Sequence, residues 1–232
     1  MKIGKLIKQG KIVVLVDGGF NDQYKNFLER LGPTIEIRHF KDEDTAESKS
    51  TDIDLLLFTG GADVQPVLYG EKVGRYTQIN KERDKLEQRI FSKFRYIPKL
   101  GICRGSQFLT VMAGGELIQH VTGHGATHKI QMQDGGRLYN YDITSTHHQM
   151  MNPFTLASNR YQILAWSKNF LSNTYLNGDN EEVSLHPEFL ESEIVYYPEI
   201  KALAIQGHPE FGHCPADGSQ LCVNLIKTYI LK

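Results

Sequence analysis

The amino-acid sequence predicts an α/β protein in which a mostly parallel sheet is flanked by helices, with an added antiparallel hairpin region. Residues 11–16 and 54–59 form apolar runs, and a glycine pair follows each run closely. Continuous apolar runs are typical of strands that are buried on both faces of a sheet. Apolar positions at helical spacing lie between the two runs, and strand, helix and strand in this order predict right-handed βαβ units.

The other elements of the first half follow from the same kind of pattern. A helix is predicted over 22–31, where Asn and Asp are available as capping residues and a Gly-Pro pair ends the run. An alternating strand is predicted over 34–40. The polar stretch 41–52 is interpreted as a solvated loop or a short surface helix. A surface helix is predicted over 80–94, because apolar residues recur there every four positions in a charged background.

The second half changes character and predicts the antiparallel region. Five short runs, with alternating polarity or aromatic residues, are separated by turn residues: 128–133, 136–143, 161–167, 193–200 and 201–207. Such runs predict strands or hairpins that lie against the parallel core. A final helix is predicted over 217–231. Because the sequence contains no repeat, low-complexity tract or linker, residues 1–232 are expected to form a single domain.

Composition excludes several classes of function. The chain has 232 residues, 40% of them hydrophobic, and a formal net charge of -1, which gives no electrostatic reason to expect a nucleic-acid or membrane partner. Its three cysteines are odd in number and do not form metal-ligand pairs. The apolar run near the N-terminus is too short for a signal peptide. We therefore expect a cytoplasmic protein with small-molecule partners.

The chain is organised around the segment 96–115, YIPKLGICRGSQFLTVMAGG, with Cys103 between Gly101 and Gly105. A short apolar strand, a Gly-x-Cys-x-Gly turn and an apolar helical pattern predict a nucleophile elbow. Flanking glycines are needed where the strand doubles back, and the following helix directs its N–H groups towards the sulfur, which favours a thiolate. Taken alone, the motif is more typical of a buried structural cysteine before a helix.

A second motif supplies the partners that a thiolate nucleophile needs. An apolar strand leads into Gly207-His208-Pro209-Glu210. A turn at this point presents His208 as a general base, and Glu210 is close enough in sequence to orient the imidazole ring. The order Cys, His, Glu differs from the Ser, Asp, His order of α/β-hydrolases, which indicates a separate lineage of cysteine hydrolases.

A third motif, Gly60-Gly61, follows the strand predicted over 54–59. Ligands of open α/β sheets bind beyond the carboxyl ends of the strands, and all three motifs follow strands. The backbone N–H groups of Gly61 and Arg104, the residue after the nucleophile, are therefore predicted to form an oxyanion hole.

Taken together, three segments carry a resemblance to a known family: GICRGSQ (101–107), FTGGADVQPVLYGE (58–71) and QGHPE (206–210). The chain resembles the class I glutamine amidotransferases and is most similar to their γ-glutamyl-γ-aminobutyrate hydrolase-like branch, the C26 cysteine peptidases. Further features of that branch are Arg83-Asp84 and Ser145-Thr146-His147-His148-Gln149. The resemblance implies a flavodoxin-like fold and attack of a cysteine on the γ-carbonyl of glutamine or of a γ-glutamyl amide.

The resemblance also assigns roles to individual residues. Cys103 is the expected nucleophile, His208 the base and later the acid for the leaving amine, and Glu210 the orienting carboxylate. Gly61 and Arg104 are the expected oxyanion donors. The expected substrate-binding residues are Gly60, Gln107, Ser145, Thr146 and His147. Two features depart from the family pattern, Asp17-Gly18-Gly19 and a short connection over 71–83, and the second leaves the identity of the substrate open.

Other chemically suggestive residues favour structural interpretations. His120, His124 and His128 recur every four residues, but Gly123 and Gly125 break any helix there and no carboxylate completes a ligand set, so they are interpreted as ordinary loop histidines. No metal and no organic cofactor is expected. The pair Arg83-Asp84 is interpreted as structural, at the mouth of the site. Packing roles are predicted for Cys214, Cys222, Trp166, Tyr196 and Tyr197.

Three functional hypotheses remain after this reading. The first is a hydrolase that cleaves the γ-amide bond of a γ-glutamyl compound through a thioester at Cys103. The second is a glutaminase subunit that delivers ammonia to a separate synthetase. The third is a binding protein on the same fold with an inactive site, against which the intact Cys, His and Glu argue. The sequence leaves the amine, the acceptor and the oligomeric state open, a homodimer included.

Overall fold

A nine-stranded mixed sheet runs through residues 10–41 and 53–231, the part of the chain that the computed structural model describes. The strands are β1 (Lys11–Val16), β2 (Thr34–His39), β3 (Leu55–Phe58), β4 (Lys99–Ile102), β5 (Glu116–Ile118), β6 (His120–Val121), β7 (His128–Asp134), β8 (Arg137–Ile143), β9 (Met150–Asn152), β10 (Gln162–Ser167), β11 (Tyr175–Leu176), β12 (Ser192–Tyr197) and β13 (Ala202–Ile205). The helices are α1 (Asp22–Glu29), α2 (Lys81–Lys93), α3 (Arg104–Met112) and α4 (Ala216–Tyr229).

The order of the large sheet is β2-β1-β3-β4-β13-β12-β10-β7-β8. Its first five strands are parallel, and β12, β10, β7 and β8 continue it with antiparallel pairings. The predicted α/β class is therefore confirmed. One prediction was wrong: residues 201–207 were expected in the antiparallel region, but β13 pairs in parallel with β4 and belongs to the core. The antiparallel strands extend the same sheet edge to edge.

Helices cover both faces of the parallel half, which explains its uninterrupted apolar strands. On one face, α1 and α4 pack on Val14, Val16 and their neighbours, and on the other face α2 and α3 pack on Leu15 and Phe58. Strands β3, β4 and β13 are buried at every residue. Burial on both faces accounts for the sequence pattern, because neither face of these strands meets water.

The register of the three central strands brings the sequence motifs together. Lys99 pairs with Leu56 on one side and with Ala202 on the other, so β3, β4 and β13 end at the same edge of the sheet. Gly60-Gly61 follows β3, Cys103 follows β4 and His208 follows β13. The three motifs therefore meet at the carboxyl edge, where open α/β sheets bind their ligands.

The predicted helices of the described chain are present, with ends that shift by one or two residues. Asn21 caps α1 by accepting from the Gln23 N–H, and Asn80 caps α2 by accepting from the Arg83 N–H. The predicted polar stretch 41–52 lies outside the described residues except for its first residue. Among the helices of the described ranges, none has the length and hydropathy needed to cross a bilayer.

Candidate active site

Cys103 occupies a strained turn between β4 and α3. Its backbone has φ 52° and ψ -112°, a conformation that non-glycine residues rarely adopt. Ser106 stabilises the turn, because its hydroxyl donates to the Cys103 carbonyl over 2.6 Å and its N–H donates to the same oxygen over 2.9 Å. The turn therefore has the geometry of a nucleophile elbow, and it places the thiol at the N-terminus of α3.

The two glycines of the elbow are required by close backbone contacts. A Cβ atom on Gly101 would lie 2.4 Å from the Gly105 carbonyl oxygen, and one on Gly105 would lie 2.0 Å from the Phe58 carbonyl oxygen. Both distances are far inside van der Waals contact. The structure therefore confirms that side chains two residues before and two after Cys103 would collide with the backbone. At Gly105 the absence of a side chain lets α3 pack directly against the backbone of β3.

His208 and Glu210 form the second part of the site. His208 Nδ1 lies 2.7 Å from Glu210 Oε1, and the ring stacks on Phe211 with a centroid separation of 4.1 Å. Burial opposes protonation of His208, but Cys103 and Glu210 outweigh it and raise the pKa of His208 to about 10. The other ring nitrogen, Nε2, is buried and has no hydrogen-bond partner among the described residues. It is therefore available for proton transfer.

Three hydrogen bonds with two side chains, Tyr24 and Arg83, hold the Gly60-Gly61 turn in place. Its Gly60 N–H donates to the Tyr24 hydroxyl over 2.9 Å, and Arg83 donates to the carbonyl oxygens of Thr59 and Gly60 over 2.9 Å each. Gly61 has φ 143°, and a Cβ atom there would lie 2.2 Å from Arg83 Nη1. Only glycine fits this position without strain.

The side chain of Arg104 is held by the segment after Gly61 and by α2. Its Nε donates to the Ala62 carbonyl over 3.1 Å, and its two terminal nitrogens bind Asp84 and Glu87 of α2. All three side chains are at most 2% exposed. Arg83 and Asp84 do not pair with each other: Asp84 binds Arg104, while Arg83 binds Asp17 and Glu87. Both residues hold segments beside the cavity, in line with the predicted structural role.

A cavity of about 460 Å³ opens over Cys103. Six of the predicted site residues line it: Gly61, Cys103, Arg104, Gln107, Thr146 and His147. Gly60 and Ser145 are not among the lining residues of the described chain: Gly60 uses its N–H and carbonyl within the turn, and Ser145 is fully buried. Gln107 Nε2 donates to the Gln149 carbonyl over 3.0 Å, which connects α3 to the opposite wall.

The family of the chain follows from its similarity to known proteins. Residues 17–186 match the family model of peptidase C26. The chain belongs to the peptidase C26 family. The match begins at Asp17 and includes the elbow, but it ends before His208 and Glu210, whose arrangement is seen in the structure alone.

Relatives of this C26 chain include glutamine amidotransferase-like proteins. The chain is 32% identical over 148 residues to the glutamine amidotransferase-like protein YvdE of Lactococcus lactis, over 53% of this chain and 61% of that protein. It is 31% identical over 123 residues to the carbamoyl phosphate synthase small chain of Xanthomonas campestris, over 52% of this chain and 27% of that protein. The chain thus spans less than two thirds of the length of these curated relatives.

Solved structures show that the fold is shared with more distant proteins. A glutamine amidotransferase of Thermotoga maritima has a TM-score of 0.56 at 15% identity, with 94% of this chain and 82% of that chain covered. PurLQS of the same organism has a TM-score of 0.52 at 15% identity, with 86% of this chain and 87% of that chain covered. At these identities the likeness establishes the class I glutamine amidotransferase-like, flavodoxin-like fold.

Sequence reasoning missed several residues of the C26 site. Tyr24, from α1, holds the Gly60 N–H, and burial is the main reason that its hydroxyl pKa is raised. Asp63, Gln78 and His148 line the cavity, and His148 Nε2 lies 3.2 Å from Asp63 Oδ1. Asp63 lies in the recognised Gly-Gly-Ala-Asp motif, whereas nothing in the local sequence around Tyr24 signals its contact.

The expectation that no carboxylate accompanies His124 and His128 was wrong, and His128 lies in strand β7 although His124 is in a loop. His128 Nε2 lies 2.9 Å from Glu193 Oε1, and His124 lies 3.4 Å from both Glu191 and Glu193. The two carboxylates come from β12 and its preceding residue, about seventy residues away in the sequence. The sequence around the histidines therefore contains no sign of these carboxylates, because they lie close in space only through the pairing of distant strands.

Proposed function

We propose that this protein is a cysteine hydrolase that cleaves the γ-amide bond of a γ-glutamyl compound or of glutamine, through a γ-glutamyl thioester on Cys103. The observation that carries the proposal is the convergence of the strained Cys103 turn and the His208–Glu210 pair at one sheet edge, beneath a polar cavity. Membership of the C26 family supports amide hydrolysis at this site.

The first half-reaction uses Cys103, His208 and the backbone N–H groups of Gly61 and Arg104. The Cys103 sulfur attacks the γ-carbonyl carbon, and the carbonyl oxygen becomes an oxyanion. The N–H groups of Gly61 and Arg104 stabilise this oxygen, each donor contributing about 3 kcal/mol in the transition state. His208 then gives its proton to the departing nitrogen, the C–N bond breaks, and an amine or ammonia leaves the thioester behind.

The second half-reaction restores the enzyme. Neutral His208 takes a proton from water, the resulting hydroxide oxygen attacks the thioester carbonyl, and the C–S bond breaks to release glutamate and the Cys103 thiolate. Glu210 fixes the Nδ1–H tautomer throughout and stabilises the imidazolium form. Asp63 and His148 on the cavity wall provide opposite charges for the α-ammonium and α-carboxylate groups of a glutamyl head.

A panel of substrates tests this proposal. We expect glutamate release from glutamine or from γ-glutamyl amines, and we expect Cys103→Ala to reduce kcat by at least about 10⁴-fold, since it removes the nucleophile. Cys222→Ala is the matched control, because Cys222 is a buried thiol of the core outside the cavity. Full activity of Cys103→Ala, or equal losses in both variants, would refute the mechanism.

A second candidate is a glutaminase subunit that passes ammonia to a synthetase. The similarity to a protein named as a carbamoyl phosphate synthase small chain favours it. Slow turnover of glutamine by the isolated chain, accelerated by a partner synthetase, would support this role. Efficient turnover of one γ-glutamyl amine by the chain alone would favour the independent hydrolase.

A further inference from the structure

A cluster of buried histidines and glutamates adjoins the cavity without taking part in the proposed reaction. His124, His147 and Glu193 are 1%, 7% and 0% exposed. They come from three separate segments, namely the loop after β6, the loop before β9, and strand β12. The rings of His124 and His147 have centroids 4.6 Å apart, and His147 also lines the cavity. The cluster therefore joins one wall of the cavity to the antiparallel part of the sheet.

Each of these three side chains has a buried polar atom without a hydrogen-bond partner among the described residues. The atoms are His124 Nδ1, His147 Nε2 and Glu193 Oε2, and His124 Nε2 shares this property. One ligand atom from each of the three residues lies within 4.8 Å of the other two. Unpartnered buried polar atoms are costly and uncommon, so their convergence requires an explanation.

The remaining atoms of two of the side chains are held by neighbours. His147 Nδ1 lies 2.8 Å from the Gln149 carbonyl oxygen, which fixes the tautomer with a free electron pair on Nε2. Glu193 Oε1 accepts from Ser167 Oγ over 3.1 Å and lies 2.9 Å from His128 Nε2. Ligating histidines and carboxylates of metal sites are oriented by outer partners of this kind.

The third side chain, His124, faces an anchored carboxylate. Its Nε2 lies 3.4 Å from Glu191 Oε2. Glu191 itself accepts from the N–H groups of Leu171 and Ser172 and from the Tyr175 hydroxyl. A carboxylate behind a histidine is the arrangement that strengthens a metal-bound imidazole.

A proton alone does not satisfy the cluster. A protonated His124 donates from Nδ1 to a single acceptor. Either Glu193 Oε2 or His147 Nε2 therefore stays unpaired, whereas a cation accepts electron pairs from all three atoms at once.

We propose that His124, His147 and Glu193 bind a divalent transition metal of the zinc class. Because the three ligand atoms lie within 4.8 Å of one another, an ion at their centre would be no more than about 2.8 Å from each atom. Zinc bonds to nitrogen and oxygen are about 2.0–2.2 Å long, so the three side chains need to move inward only slightly to bind it. Two imidazoles and one carboxylate are a ligand set that zinc accepts. The ion joins the three segments and fixes the 146–149 wall of the cavity.

The test measures metal binding in the Cys103→Ala protein, because zinc also binds thiolates. Metal-free protein is titrated with Zn²⁺ and with Co²⁺, and the cobalt spectrum and X-ray absorption of the zinc form report the ligands. We expect one ion per chain, nitrogen and oxygen ligands including two imidazoles, no sulfur-to-cobalt charge-transfer band, and a higher Tm that a chelator reverses.

Variants assign the ligands. Glu193→Gln and His124→Gln are expected to weaken zinc binding by more than about 100-fold, since even outer partners of metal ligands cost 10- to 100-fold. His39→Gln, on the exposed end of edge strand β2, is the control and should bind as the parent does. Absence of stoichiometric binding to the parent, or a zinc spectrum without imidazole ligands, would overturn the proposal even if a variant failed to fold. Binding by Cys103→Ala is independent of whether Cys103 hydrolyses amides.

Discussion

Arg83 Nη2 donates to Asp17 Oδ2 over 2.8 Å, and through this ion pair the loop after β1 supports the turn after β3. Asp17 also accepts from the Thr59 N–H over 2.6 Å, and the same guanidinium donates to the carbonyl oxygens of Thr59 and Gly60. The Asp17-Gly18-Gly19 turn departs from the family pattern in sequence, yet it carries the anchor of the predicted oxyanion turn.

The first prediction concerns this anchor. We expect Arg83→Met to lower kcat by about 10-fold or more with little change in KM, because the turn that presents the Gly61 N–H loses two carbonyl contacts. The free energy of unfolding should also fall by roughly 3 kcal/mol, as Asp17 is left buried without its cation. Lys85→Met is the control, since Lys85 is an exposed residue of the same helix. An unchanged kcat in a folded Arg83→Met protein would contradict a positioning role.

The second prediction concerns Gly61 itself. We expect Gly61→Ala to reduce kcat on the order of 10²-fold, because the new Cβ atom meets Arg83 and the backbone at φ 143° must relax. Gly18→Ala is the matched control, because a Cβ atom there has nothing within 4 Å. Steady-state kinetics on a γ-glutamyl amide would measure the effect. Similar rates for the two variants would count against an oxyanion donor at Gly61.

The third prediction concerns the His208–Glu210 pair. We expect Glu210→Gln to lower the pKa of His208 below its value of about 10, because a neutral amide no longer stabilises the imidazolium, and to lower kcat on the order of 10²-fold. NMR of the labelled imidazole would follow the titration. Because the folded pKa is raised, the stabilisation from this pair is complete below about pH 6.5, the unfolded value, and disappears as the pH rises through the folded pKa. An unaltered His208 titration would exclude the coupling.

The fourth prediction concerns the cavity wall. We expect Asp63→Asn to lower the pKa of His148, because the hydrogen bond and the negative charge of Asp63 are what raise it, with burial acting in the opposite direction. KM for γ-glutamyl substrates should rise while kcat changes less, since both side chains lie on the cavity wall and outside the His208–Glu210 pair. Asp179→Asn, at an exposed ion pair, serves as control. A fall in kcat alone would argue for a role in the chemical step.

The sequence predicted the fold class and the meeting of the three motifs because strand ends and glycine pairs are local signals. The elbow at Cys103 and the Gly60-Gly61 turn are both readable from a few adjacent residues. The ion-pair partners of Arg83 and Asp84 could not be predicted from the sequence. The two residues are adjacent on α2, but Arg83 binds Asp17 and Asp84 binds Arg104. Such pairings depend on how helices lie across the sheet, which local patterns do not encode.

The structural support differs between the residues of the proposed site. For Cys103 it is the strained turn, and for His208 it is the 2.7 Å contact with Glu210. His124 and His128 are the opposite case: their spacing is visible in the sequence, but their carboxylate partners come from β12 and from the residue before it. Long-range pairing across a sheet therefore decides which polar residues meet.

The absence of a side chain on Gly105 lets the elbow pack directly against β3, since a Cβ atom there would lie 2.0 Å from the Phe58 carbonyl oxygen. Phe58 lies two residues before Gly60, so this one backbone contact connects the segment that carries Cys103 to the turn that is predicted to stabilise the oxyanion. We therefore expect substitutions in the cavity wall around Asp63 and His148 to alter which substrate is accepted while the packing of the elbow on β3 is retained. An engineer who wishes to change the substrate of this protein would therefore vary that wall and leave the Gly105 contact untouched.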